Sequence, residues 1–82
     1  LPSSIHAERY GAVVEVLARA RALSGVTQVQ LAARLGRPQS YVSKVENRER
    51  RLDVVEFHDW ALALGCDPAS LFRDVSEGLT AK

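Results

Sequence analysis

Residues 27–47, TQVQLAARLGRPQSYVSKVEN, carry the punctuation of two short helices within one continuous stretch. Thr27 stands where a side-chain oxygen accepts a hydrogen bond from the backbone two or three residues on, and Gln30 follows at the spacing of a capping box. Leu31, Ala32 and Leu35 recur at helical spacing and are expected to face inward. Gly36 supplies the left-handed stop. Pro38 has a fixed φ suited to a first turn, so the chain's third helix is expected from Pro38 to about Asn47, with Val42 and Val45 inward. Only Gly36 and Arg37 are left between the two. Two short helices joined by so tight a Gly-containing turn form a helix-turn-helix.

The same punctuation continues on both sides, and no segment alternates long enough to read as a strand. Before it, Tyr10, Val13, Val14, Leu17 and Ala20 make a stripe on a helix from about Ser4, capped by Ser3 or Ser4 after Pro2, to Ser24, with Gly25 as its stop. After it, the loop Arg48-Glu49-Arg50-Arg51-Leu52 leads to Asp53 as the next N-cap. A fourth helix follows to Leu64, with Val54, Phe57, Trp60, Ala61 and Leu64 inward, and Gly65 ends it. Asp67 and Pro68 open a fifth helix with Leu71 and Phe72 inward, expected to fray after Val75. The expectation is an all-α fold of five helices in a single domain over residues 1–77. The helix-turn-helix lies at about 27–47, and a disordered tail covers 78–82.

With 82 residues, 46% hydrophobic and 26% charged, the composition is globular and the core small. One cysteine, Cys66, excludes an internal disulfide and a cysteine metal cluster. His6 and His58 have no zinc-ligand spacing, so no metal is expected; His6 reads as solvent-exposed and His58 as half-buried packing. Trp60 reads as core. There is no paired acid, no nucleophile with a base and no Gly-rich phosphate loop, so neither catalytic residues nor a cofactor are expected and the chain does not read as an enzyme. No apolar run reaches membrane-spanning length, and the N-terminus lacks the basic start and apolar segment of a secretion signal, which points to a cytoplasmic location. The chain has no methionine, so its first residue is not expected to be the gene's start.

The net charge of +1 hides a division. Residues 16–52 carry Arg19, Arg21, Arg34, Arg37, Lys44, Arg48, Arg50 and Arg51 against Glu46 and Glu49. That gives +6, while residues 1–15 sum to −1 and 53–82 to −4. A basic middle beside an acidic end matches a polyanion-binding face and a face turned away from it.

Over about residues 13–73 the chain resembles the XRE family, the helix-turn-helix domains of phage Cro and lambda-type repressors. The landmarks are Thr27-Gln28, Leu31-Ala32, Leu35-Gly36, a Ser-containing helix, and Val45-Glu46-Asn47. The later Ala63-Leu64-Gly65 and a short last helix fit as well. The resemblance implies a five-helix lambda-repressor-like fold that binds double-stranded DNA, usually as a homodimer, and a bacterial or phage-encoded regulator. It implies that Thr27 and Gln28 meet a phosphate at the start of the second helix. Gln39, Ser40 and Lys44 would read base edges from the recognition helix, flanked by Ser43, by Arg37 in the turn, and by Tyr41 as a phosphate ligand. Asn47, Arg48, Arg50 and Arg51 would meet the backbone beyond. Gln suits adenine N6 and N7, and Lys suits guanine O6 and N7. Arg21 and Glu46 match positions that form an ion pair between the first and third helices.

Three departures stand out. Arg48 replaces the family's usual Gly, at a steric cost if the backbone is left-handed. Pro38 replaces a capping Ser or Thr. Val55 and Leu62, seven residues apart, put apolar groups on the outer face of the fourth helix, where the family often has polar ones. That face reads as a dimer contact, and two recognition helices about 34 Å apart would call for a near-palindromic operator. The functional expectation is a sequence-specific transcriptional regulator, a repressor. The alternative is the antitoxin of a toxin–antitoxin pair, whose fold also binds a toxin protein.

Overall fold

The computed structural model describes residues 5–81, with side chains from residue 8. The expected caps at Ser3 and Ser4 and the exposure of His6 lie outside the described residues. Five helices follow in order: α1 (Ile5–Leu23), α2 (Gln28–Leu35), α3 (Gln39–Glu46), α4 (Val54–Ala63) and α5 (Pro68–Ala81). No strand occurs among the described residues.

Local chemistry sets most of the boundaries. Thr27 Oγ1 accepts from the Gln30 N–H at 3.0 Å, and Gln30 Oε1 accepts from the Thr27 N–H at 2.9 Å, completing the capping box. Asp53 and Glu56 repeat this exchange at the start of α4, at 2.8 and 3.0 Å. Asp67 caps α5 through the Ser70 N–H at 2.9 Å, a bond that holds its carboxyl below the usual range. Gly36, at φ 67°, ends α2 in the left-handed region that an L side chain adopts only at a cost. Pro38 is the cap of α3 (φ −67°, ψ 154°) rather than its first helical residue, and it offers no side-chain bond, so the helix begins one residue later than expected.

α1 lies against α3 and α5, α2 against α3 and α4, and α4 against α5. The core they share contains Leu17, Leu31, Val42, Val45, Trp60 and Val75, each at most 1% exposed. Trp60, expected as core, sits at its centre, and its indole N–H donates to the Tyr41 hydroxyl at 3.1 Å. Among the described residues, no buried side-chain polar atom lacks a partner.

The structure corrects four expectations of burial and order. Val54 and Phe72 are 79% and 53% exposed; each lies about 70–80° around its helix from the mean core direction. They rim a surface groove that also includes Tyr10, Val13, Leu52 and Phe57, where Phe72 meets Phe57 edge-on at 6.1 Å. His58 is exposed on α4 rather than half-buried. α5 does not fray after Val75, and residues 78–81 are helical instead of disordered. α1 supplies their support: a Cβ at Gly78 would stand 3.3 Å from the Ala12 Cβ, and Leu79 packs on the core.

Candidate nucleic-acid interface

α3 is divided lengthwise. Val42 and Val45 are fully buried, which fixes the helix's rotation and turns Gln39, Ser40 and Lys44 out to solvent. Ser43 is half-buried at the margin, and its hydroxyl accepts from Asn47 Nδ2 at 3.4 Å. The helix is locked to α1 by Arg21, whose Nε and Nη2 donate to the two Glu46 oxygens at 2.7 and 2.9 Å. Those bonds raise the Arg21 guanidinium above its ordinary pKa. Arg21 Nη1 also donates to the Val26 carbonyl at 2.9 Å.

The same carboxylate reaches into the outward face. Gln28 Nε2 donates to Glu46 Oε1 at 2.8 Å, and Gln28 Oε1 accepts from Gln39 Nε2 at 3.2 Å. A continuous chain of polar contacts therefore runs from α1 through Glu46 and Gln28 to the first side chain of the exposed α3 face. Gln39 presents its amide with a fixed orientation, which is what bidentate recognition of a base edge requires. Thr27 is exposed beside it at the start of α2.

The remaining expected residues divide. Tyr41 is not placed to serve as a phosphate ligand: it is 8% exposed and its hydroxyl faces Trp60. Its ring is instead a platform for two arginines. Arg37 Cζ lies 4.3 Å and Arg50 Cζ 4.8 Å from the ring centroid, within cation–π range. Both also reach Glu56. Arg50 donates to its two oxygens at 3.2 and 3.0 Å, and Arg37 donates at 3.4 Å. Hydrogen bonding to Arg50, and then to the Asp53 N–H, holds the Glu56 carboxyl below the usual range.

Beyond α3, Asn47 is exposed and ends the helix. Arg48 takes the left-handed conformation that its family position demands, at φ 65°, the one non-Gly residue to do so among those described. Its guanidinium folds back over Gly11 of α1, where a Cβ would come within 2.7 Å of it, and approaches Glu15 at 3.8 Å. Arg51 lies over the Tyr10 ring at 5.1 Å, and the Tyr10 hydroxyl accepts from the Leu52 N–H at 2.9 Å. Two contributors go beyond what the sequence assigns to the site. Tyr10 belongs to the inward stripe of the first helix, and nothing local marks its hold on the loop. Glu56 was legible: it stands three residues after the Asp53 cap, at capping-box spacing.

The helix-turn-helix family profile matches residues 17–71, about two thirds of the chain. The chain belongs to the XRE family of helix-turn-helix proteins. A solved XRE-family like protein from Pseudomonas syringae pv. tomato str. DC3000 is similar over 89% of this chain and 89% of its own, at 53% sequence identity and a TM-score of 0.82. No curated protein matches. The XRE assignment makes the protein a DNA-binding transcription regulator, and no helix among the described residues is long and apolar enough to cross a membrane.

Proposed function

We propose that this XRE-family protein is a repressor that binds a near-palindromic duplex operator as a homodimer, with α3 in the major groove. The observation that carries the reading is the exposed α3 face. Gln39, Ser40 and Lys44 share it opposite the buried Val42 and Val45, and Gln28 tethers Gln39 from α2. A face of short polar side chains with one cation suits groove edges, and the arginines on either side of the helix suit the phosphates that flank a groove. The outer face of α4 supports the dimer: Val55 and Leu62 are 65% and 57% exposed and lie outside the core cluster. Asp59 of α4 and Asp74 and Glu77 of α5 keep that side away from a polyanion.

In vitro selection of DNA sites tests both parts. The expected result is a motif with two-fold symmetry, in which Gln39→Ala relaxes particular positions and costs ~1–3 kcal/mol on the best site. Leu62→Glu should convert a sedimenting dimer to a monomer with its helical circular dichroism intact. An unchanged motif for Gln39→Ala would remove α3 from the groove, and a wild-type monomer that binds a single half-site would remove the dimer.

A further inference from the structure

Arg37 and Arg50 come from opposite ends of α3, one from the turn before it and one from the loop after it. They converge on a single ring and a single carboxylate. Two guanidinium groups drawn this close repel each other unless something holds them. Both supports are themselves held by further contacts. Tyr41 is buried and receives the hydrogen bond of the fully buried Trp60. Glu56 is tied to the first turn of α4 by its exchange with Asp53. Its Oε1 accepts from Arg50 and Asp53, and its Oε2 from Arg50 and Arg37.

The arginines remain open outward, with side chains 43% and 38% exposed. A guanidinium carries five N–H donors. Arg37 commits one of them within the chain, and Arg50 three, including one to the Arg51 carbonyl. A purely internal staple would spend its donors and bury its heads. This pair keeps donors unspent at one place beside the helix assigned to the groove.

We propose that Tyr41 and Glu56 are positioning residues for DNA binding. Neither touches DNA; together they hold Arg37 and Arg50 as a preset pair for the phosphodiester backbone on the one side of α3 where Tyr41 and Glu56 bring the two heads together. The inference rests on the proposed docking of α3. Presetting matters because a long side chain ordered only on binding loses rotamer freedom at that moment, whereas here the cost falls on folding.

Glu56→Gln separates this reading from simple charge counting, because the two predict opposite signs. The substitution keeps a side-chain oxygen for the capping box and raises net charge by one, so electrostatics alone tightens binding. Positioning predicts binding roughly five- to tenfold weaker, because both arginines lose their common carboxylate. The probe is a fluorescent mixed-sequence 20-base-pair duplex, followed by anisotropy at fixed salt and below each variant's unfolding transition. Tyr41→Phe keeps the ring and removes only the Trp60 acceptor, so it should lower the melting temperature but keep wild-type affinity. Tyr41→Leu should weaken affinity as well. Arg37→Ala and Arg50→Ala report on the docking itself. If both bind like wild type, the docking fails and the positioning role with it. If they weaken binding while Glu56→Gln binds as tightly as wild type or more so, the docking stands and the positioning role is overturned.

Discussion

Removing Glu46 should disturb this protein more than removing Glu46 and Arg21 together. In the wild type the carboxylate accepts three hydrogen bonds, two from Arg21 and one from Gln28. Its side chain is 9% exposed and that of Arg21 is 21% exposed. Glu46→Ala leaves the Arg21 guanidinium with only the Val26 carbonyl, in surroundings from which it can rehydrate partly. A fully buried pair broken on one side costs about 3–5 kcal/mol, so a partly buried one should cost about 2–3. Arg21→Ala should cost a similar amount, since Glu46 then keeps Gln28 alone. The double substitution strands neither charge and should cost less, about 1–2, leaving a coupling energy of about 3 kcal/mol.

For a chain of this size 1 kcal/mol corresponds to about 6 °C in Tm, so each single variant should melt roughly 12–18 °C lower and the double variant no lower than either. Thermal and urea unfolding, followed by circular dichroism, give the four corners of the cycle. Losses that add to within ~0.5 kcal/mol would refute the reasoning, because the pair would then be two independent surface groups. Gln28→Ala on its own should cost less, since Arg21 still neutralises the carboxylate. It should nonetheless weaken operator binding by freeing the Gln39 amide.

Two further outcomes can be measured on the same protein. DNA affinity should fall steeply with salt: a dimer meeting ~6–10 phosphates loses on the order of 10³–10⁵ in affinity between 50 and 200 mM, and a flat response would remove the phosphate contacts. Stability should fall in acid through Glu56 and Asp67, whose folded pKa values are depressed. Their contributions are complete above the unfolded carboxylate pKa values near 4 and are lost as pH falls through the folded ones. A Glu56→Gln, Asp67→Asn double variant should therefore show a shallower decline of Tm below about pH 4.5, and an unchanged decline would place the acid sensitivity elsewhere.

What the sequence reveals here is what is decided within a few residues. The capping box of Thr27 and Gln30, the glycine stop at Gly36 and the Asp67 cap all depend on neighbours in the chain, and they appear in the structure as read. The misread residues depend on distant ones. The segment after Val75 is polar and contains Gly78, which argues against a helix locally, yet α1 provides a surface close enough that only glycine fits opposite Ala12 without crowding. Tyr41 stands between the core stripe and the exposed face of α3, and its burial is decided by Trp60, nineteen residues away.

The functional site shows the same limit in a sharper form. Counting charge gives +6 across residues 16–52 and points correctly to a polyanion, but a count treats every arginine as a ligand. In the folded chain the arginines differ in where their donors go. Arg21 is spent on Glu46, Arg34 donates to the Ala63 carbonyl at 2.8 Å, Arg48 turns back to α1, and Arg37 and Arg50 share one carboxylate. Affinity for a phosphate backbone depends on heads held in place with donors unspent, which is a property of partners contributed by other helices. The arginines that keep donors for DNA and those spent within the chain are therefore alike in composition. They separate only when the fold shows which arginine rests on a ring, which on a carboxylate, and which keeps its N–H groups toward solvent.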